Sequence, residues 1–296
     1  MKLLVTGAEG QVAKCLQEAG AAVRGLNVVA VGRPRLDITA PASVLDAVSA
    51  LRPDVIVNAA AYTAVDRAES EPGIAHLVNA AGAGNVARAA HQAGVPVIHI
   101  STDYVFDGSK TSAYSESDAV GPISVYGRSK LDGERLVEEA AVRHVILRTA
   151  WVYSPFGNNF VKTMLRLASQ RPELGVVDDQ YGSPTYAPHL AAAILDIAQQ
   201  VSKAGDGGGA WGIYHACGAG ETTWCGLARE VFQVSARLGG PHADVKPIAT
   251  SDYPTAARRP ANSRLSGEKL RAVFGVALPD WRDGVAACVE RLVKGH

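Results

Sequence analysis

Short apolar runs alternate with amphipathic ones along the first half of the chain. "KLLVT" (2–6), "NVVAVG" (27–32), "DVIVNAA" (54–60), "PVIHIS" (96–101) and "HVILRT" (144–149) are nearly continuous apolar runs, several of them rich in β-branched residues. Between them, "QVAKCLQEA" (11–19), "PASVLDAVSALRP" (41–53, stopped by Pro53) and the Ala-rich stretch 73–94, which ends at Gly94, carry helical spacing. Strands that are apolar on both faces, separated by helices, predict an α/β fold with a doubly wound parallel sheet covered on both sides.

After about residue 150 the pattern changes. "WVYSPFGNNF" is aromatic and turn-rich, "NFVKTMLRLASQ" and "PHLAAAILDIAQQV" are helical, and "LGVVDDQYGSPTY" reads as a strand then a loop. "DGGG" (206–209) reads as a surface turn, "GIYHAC" as a strand, and "WCGLAREVF" and "WRDGVAACVERLV" as helices. The expectation is a first domain over 1–150 and a smaller α+β portion over 151–296, some of whose segments return to the first. No internal repeat and no low-complexity tail stand out.

The 296 residues suffice for a sizeable core. Formal net charge is zero, so no basic field would draw nucleic acid or an anionic membrane. The apolar start "MKLLV" is too short for a signal peptide and no run reaches the length of a membrane span, so a cytoplasmic protein is expected. The four cysteines, Cys15, Cys217, Cys225 and Cys288, lack ligand spacing and are expected to be reduced, buried thiols rather than a metal site.

"TGAEGQVA" places Gly7 and Gly10 directly after the first strand, at the opening of the first helix. Gly7 permits a tight turn, and Gly10 lets the backbone approach a pyrophosphate at the positive end of the helix; Ala13 takes the third small position. This is the pattern of a Rossmann-type dinucleotide site. The second strand ends "VGRPRLD", with Gly32 where an acidic residue would bind a ribose 2′-hydroxyl. Arg33 or Arg35 can pair with a 2′-phosphate, which favours NADPH, with NADH possible, unless both arginines are solvated. Asp37 is positioned to accept from the adenine amino group while Ile38 packs on the ring.

"YGRSK" sets Tyr126 and Lys130 four residues apart, on one face of a helix. An ammonium beside the phenol would lower its pKa from about 10 and make it a better proton donor to an alkoxide. Lysine can also hold the nicotinamide ribose, and Gly127 would admit the cofactor. The strand upstream ends "HISTDYVFDG", so Ser101, Thr102 and Asp103 fall at its carboxyl end, where open α/β sheets bind ligands.

These elements, in this order, resemble the extended short-chain dehydrogenase/reductase superfamily. "VNAAAYTAVDRAESEP", "STDYVFDG", "YGRSKLDGE", "RTAWVYSPFGNNFVKTML", "DDQYGSPTYA" and "ARRPANSRLS" more closely resemble its dTDP-4-dehydrorhamnose reductase family, over nearly the whole chain. The resemblance implies a nicotinamide-dependent reduction of the C4 ketone of dTDP-4-dehydro-L-rhamnose. It makes 1–150 the cofactor domain and 151–296 mainly the sugar-nucleotide domain. It casts Tyr126 as proton donor, Lys130 as its partner and Thr102 as the orienting hydroxyl. Gly10, Gln11 and Val12 match the pyrophosphate loop; Ala61, Tyr62, Thr63 and Ile100 match the cofactor's surroundings; Thr102, Asp103 and Trp151 match positions at the sugar.

Other readings stay open beside these. Trp151 is either a platform for a sugar's C–H face or a core residue. Asn159 and Phe160 are placed to meet the nucleotide. Arg258 and Arg259 either bind a diphosphate or are solvated. Some family members are dimers bridged by Mg²⁺ through glutamates, but Cys15 and the Pro188–His189 pair stand at those positions here. A monomer or weak homodimer without metal is therefore expected. A non-catalytic binding subunit on the same fold, or a related sugar-nucleotide reductase or epimerase, are the competing functions; retention of Thr102, Tyr126 and Lys130 together favours the enzyme.

Overall fold

The computed structural model describes residues 1–204 and 210–295; the turn read at 206–209 lies outside them. The first half runs β1 (Lys2–Thr6), α1 (Gln11–Ala21), β2 (Asn27–Val31), α2 (Pro41–Leu51), β3 (Val55–Asn58), the short helices α3 (Val65–Ala68) and α4 (Pro72–His76), a π-helical turn (Leu77–Gly82), α5 (Ala83–Gln92), β4 (Val97–Thr102), α6 (Val125–Ala140) and β5 (His144–Thr149). The second half runs β6 (Val152–Tyr153), α7 (Phe160–Ala168), β7 (Glu173–Val177), β8 (Tyr181–Gly182), β9 (Thr185–Tyr186), α8 (Ala187–Val201), β10 (Gly212–His215), β11 (Thr222–Thr223), α9 (Trp224–Arg237), β12 (Asp244–Ile248), β13 (Asn262–Ser263), α10 (Glu268–Phe274) and α11 (Trp281–Lys294).

Six parallel strands form the central sheet in the order β2-β1-β3-β4-β5-β10. Alternation along each strand feeds two cores. Leu3, Val5, Val55 and Val57 pack with Leu190 and Ile194 of α8 on one side. Leu4 and Ile56 pack with Val44 and Val48 of α2 and Val86 of α5 on the other. Burying each such side chain is worth about 1.5–3 kcal/mol. The strand order reverses at β1, whose neighbours are β2 and β3, and the crevice outside that reversal is where this class of sheet takes its ligand. The usual dinucleotide order 3-2-1-4-5-6 has one more strand beyond β2; here α2 leads directly to β3 on the other side.

The chain beyond β5 does two things. It returns to the sheet, where β10 pairs with β5 and α8 covers the face next to α1. It also builds a separate core from Val161, Leu174, Phe232, Val285 and their neighbours, flanked by the pair β7-β12 and the three short strands β11-β8-β13. The stretch 73–94, expected as one helix, is interrupted: its middle widens into the π-helical turn, and Gly94 follows with φ of +66°.

Candidate active site

The loop from β1 to α1 fits a pyrophosphate. Gly7 has φ of +77°, and a Cβ there would meet the Ala60 backbone at 2.8 Å. Gly10 caps α1, and no side chain caps the helix's first backbone N–H groups. They are left for an anion at the positive end of the helix dipole. A cleft of about 790 Å³ opens from this loop past Gly32, Arg33, Arg35, Asp37 and Ile38, and on to Ala61 and Tyr62. Both arginines are exposed. A Cβ on Gly32 would press within 3.3 Å of the Ala8 backbone nitrogen, so space as well as charge argues for glycine there.

The other expected cofactor residues are placed as follows. Asp37 turns one oxygen to its own loop, accepting from the Thr39 N–H (2.9 Å) and hydroxyl (2.8 Å); those bonds hold its pKa below the ordinary value. Ile38 is buried yet lines the cleft. Thr63 is exposed and does not line it. Val12 packs against the core beneath α1. Gln11 points toward the second half of the chain: its Oε1 accepts from the Ser154 hydroxyl (2.8 Å) and the Asn159 amide (2.9 Å).

The reacting groups lie at the carboxyl end of β4 and the start of α6. Ser124 caps α6 by accepting from the Gly127 N–H at 3.1 Å, which puts Tyr126 and Lys130 in the first two turns. The Thr102 hydroxyl lies beside the Tyr126 phenol, and its oxygen accepts from the Tyr104 N–H at 3.3 Å. Tyr104 meets the Tyr126 ring edge-on at 5.6 Å. Lys130 is almost wholly buried, and its Nζ donates to the Ile100 carbonyl at 2.6 Å.

Two expectations for this segment change. The phenol of Tyr126 is pushed up to about 12 rather than lowered: burial is the largest influence, the neighbouring Thr102 hydroxyl opposes it, and the Asp103 carboxylate adds to it. Lys130 itself is drawn down to about 8, because burial disfavours its charge more than Glu134 supports it. Gly127 has a packing reason of its own, since a Cβ there would strike the Tyr104 carbonyl oxygen at 2.2 Å.

Asp103 is 2% exposed, accepts from the Thr102 hydroxyl at 2.9 Å, and has its other oxygen buried with no hydrogen-bond partner among the described residues. Burial raises its pKa to about 7. Trp151 has a left-handed backbone (φ +48°) and stacks on Trp224 at 3.5 Å, 6° from parallel. A Cβ on Gly182 would sit 2.3 Å from the indole Cε2 and 2.6–2.7 Å from its neighbours, so Gly182 lies against the opposite face. Both faces of the indole are covered, so of the two readings of Trp151 the packed residue fits better than the open platform, and a ligand is offered its edge.

Asn159 caps α7 through its oxygen and gives its amide to Gln11 Oε1 and to the Ser154 carbonyl at 2.7 Å, so it braces the loop. Phe160 packs on Trp224 at 4.8 Å. Arg259 is bidentate to Asp66 of α3 (3.1 and 2.8 Å), while Arg258 is exposed. Among the described residues, no group of three His, Cys, Asp or Glu side chains is disposed to hold a metal ion. Among the described residues, no helix is long and apolar enough to cross a membrane.

Several residues that hold the site were not singled out from the sequence. Asn79, in the π-helical turn, accepts from the Tyr62 N–H (2.8 Å) and donates to the Tyr62 carbonyl (3.0 Å) and the Ser129 hydroxyl (2.9 Å). It ties the cofactor-side segment to the middle of "YGRSK". Glu134 accepts from Ser101 at 2.5 Å and from Arg148, locking α6 to β4 and β5. A signal for this lock existed: Glu134 falls one turn beyond Lys130, and Arg148 is a lone charge in an apolar strand.

Comparison with known proteins agrees with this geometry. Residues 1–294 match the family model described as the RmlD substrate binding domain. The dTDP-4-dehydrorhamnose reductase of Sinorhizobium fredii is 47% identical over 99% of this chain and 98% of its own. The crystal structure of a dTDP-4-dehydrorhamnose reductase from Clostridium acetobutylicum aligns with a TM-score of 0.90 at 36% identity, covering 99% of both chains. That of the Bacillus anthracis enzyme, in complex with NADP, also gives 0.90 at 36%, over 98% of this chain and 99% of its own. The chain belongs to the dTDP-4-dehydrorhamnose reductase family.

Proposed function

We propose that the protein reduces the C4 ketone of dTDP-4-dehydro-L-rhamnose to dTDP-L-rhamnose with NADPH, as a step of deoxysugar synthesis in the cytoplasm. The observation that carries the reading is the meeting of Thr102 and Tyr126 at the carboxyl end of β4, with Lys130 one turn further along α6, in a chain matched end to end by reductases of this name.

The residues present fit a nicotinamide dinucleotide. Gly7, Gly10, Gln11 and Val12 would hold the pyrophosphate; Arg33, Asp37 and Ile38 the adenosine end; Ala61, Tyr62, Ile100 and Lys130 the rest. When bound, NADPH supplies the hydride that reaches C4. Thr102, exchanging its Asp103 partner, donates a hydrogen bond to the ketone oxygen and orients it. As C4 gains the hydride, the carbonyl π pair becomes an alkoxide, and Tyr126 transfers its phenolic proton to that oxygen. The phenolate regains a proton on the Lys130 side. A phenol held near 12 keeps its proton at neutral pH, so the acid form is present before each turnover. Asp103 and the edge of Trp151 would meet the sugar hydroxyls, and Asn159 would support the loop beside them. For Arg259 to reach the diphosphate it must exchange its Asp66 partner.

Cys15 and His189 stand where bridging carboxylates would be needed, so a monomer or weak homodimer is the state proposed. The test is NADPH oxidation with dTDP-4-dehydro-L-rhamnose, the product's C4 configuration being read by NMR. Turnover to the rhamno product supports the reading. No oxidation, or the opposite C4 epimer, overturns it.

A further inference from the structure

A buried chain of hydrogen bonds runs beneath the reacting groups, from β1 through β3 to β4. Thr6 Oγ1 accepts from the Ala60 N–H at 3.2 Å, and its hydroxyl donates to Asn58 Oδ1 at 2.6 Å. In this arrangement the Asn58 amide turns its oxygen to Thr6. The amide nitrogen then faces His99 Nδ1 at 3.0 Å and can only donate. His99 Nδ1 is therefore the lone-pair nitrogen, and a neutral ring carries its proton on Nε2. That nitrogen lies 3.4 Å from Lys130 Nζ. Thr6, Asn58, His99 and Lys130 are each at most 1% exposed.

We infer that His99 is a positioning residue for Lys130: the polarised Thr6–Asn58 pair holds its imidazole with the proton on Nε2, so that the ring offers the lysine a donor and favours the uncharged amine. An ammonium at Nζ would meet this N–H donor to donor. An amine accepts from it and still donates to the Ile100 carbonyl.

The remaining groups around the pair are accounted for. On α6, Glu134 favours the ammonium, but its carboxylate is shared with Arg148 of β5 and Ser101 of β4. Of the other titratable groups at this end of the sheet, Tyr126 on α6 is held protonated and burial raises Asp103 beyond β4. His99 stays neutral, since burial and then Lys130 hold it well below the ordinary histidine range. The inference rests on the reductase reading for its purpose. A lysine that passes easily between ammonium and amine can hand a proton toward the Tyr126 phenolate after each turnover and take one back from solvent. One proton moves per cycle and no electrons are involved.

Two measurements test it. Nitrogen-15 NMR of the imidazoles in the parent protein, free of ligands at pH 7, reads the tautomer directly and needs no turnover. A protonated Nε2 on a neutral His99 is expected, and a protonated Nδ1 or an imidazolium overturns the inference whatever the protein reduces. Asn58→Asp keeps the shape but replaces the donor with an acceptor, which moves the ring proton to Nδ1 and leaves Nε2 to accept from the ammonium. The alkaline limb of the kcat/KM profile for NADPH oxidation is then expected to move up by about one pH unit or more. His99→Leu, which deletes the donor, should move it the same way. A residue that only fills space would lower kcat or stability without moving the limb, and an unmoved limb in both variants overturns the proposal.

Discussion

Arg148 of β5 and Glu134 of α6 form a two-pronged ion pair in the interior, with Nε 3.0 Å from Oε1 and Nη2 2.7 Å from Oε2. The two side chains are 3% and 1% exposed. The arginine also lies over the Phe106 ring, 5.2 Å from its centre. Because Glu134 is one turn beyond Lys130, the pair sets how deeply the catalytic helix sits on the sheet.

Breaking that pair strands a buried charge. Glu134→Gln should cost about 3–5 kcal/mol of stability, whereas the double change Glu134→Leu with Arg148→Met should cost less than either single change. Urea unfolding of Glu134→Gln, of the two single changes Glu134→Leu and Arg148→Met, and of the double variant measures both. Equal losses in single and double variants would mean the pair does not stabilise by mutual compensation.

Tyr126→Phe removes one hydroxyl and little volume. If Tyr126 is the proton donor, kcat should fall by about 10²–10⁴-fold while NADPH binding persists. Lys130→Met should lower kcat and weaken cofactor binding together. Thr102→Val should cost less, about 10–100-fold, the worth of one transition-state hydrogen bond of about 1.4–2.8 kcal/mol. Single-turnover NADPH oxidation at saturating substrate settles the first; a Tyr126→Phe rate within about threefold of the parent would discard general-acid catalysis by this residue.

Asp103 makes stability depend on pH. Its folded pKa of about 7 lies above the unfolded value of 3.8, so the native state binds the proton more tightly. The resulting stabilisation is complete below 3.8 and is lost as pH rises through about 7. Asp103→Asn stays neutral throughout and can still accept from Thr102. It should therefore be more stable than the parent at pH 8 and lose that advantage at pH 5. Urea midpoints at the two pH values give the comparison, and a constant difference would show that Asp103 is ionised when buried.

Arg33 borders the cleft on the β2 side, exposed and next to Gly32. One charged contact to a phosphate is worth about 1.5–3 kcal/mol, so Arg33→Asp should shift the NADPH/NADH ratio of kcat/KM toward NADH by at least about tenfold. An unchanged ratio would move the role to Arg35.

Local pattern carried the strands and long helices, because an apolar run or a helical period needs only its own neighbours. The glycine loop and the Tyr126–Lys130 pair were legible for the same reason, their spacing being short. Asn79, His99 and Trp224 were not, since each acts on a residue distant in the chain: Asn79 on Ser129, His99 on Asn58, Trp224 on Trp151. The expected lowering of the Tyr126 pKa failed on a collective quantity, burial, which two residues four apart do not reveal. The covered faces of Trp151 likewise depend on Gly182 and Trp224, brought in by separate turns of the second half.

The last strand of the central sheet, β10, lies beside β5 with Gly212 opposite Val145, and the chain between them forms α7, α8 and several short strands. That arrangement bears on how the molecule is made. A ribosome releases the first five strands long before the sixth, so the nascent sheet waits with β5 as an open, unpaired edge. Closing it must bridge a long intervening segment, whose entropy is lost before the contacts are gained. Until then the edge is the place where the chain is most exposed to pairing with a second copy of itself.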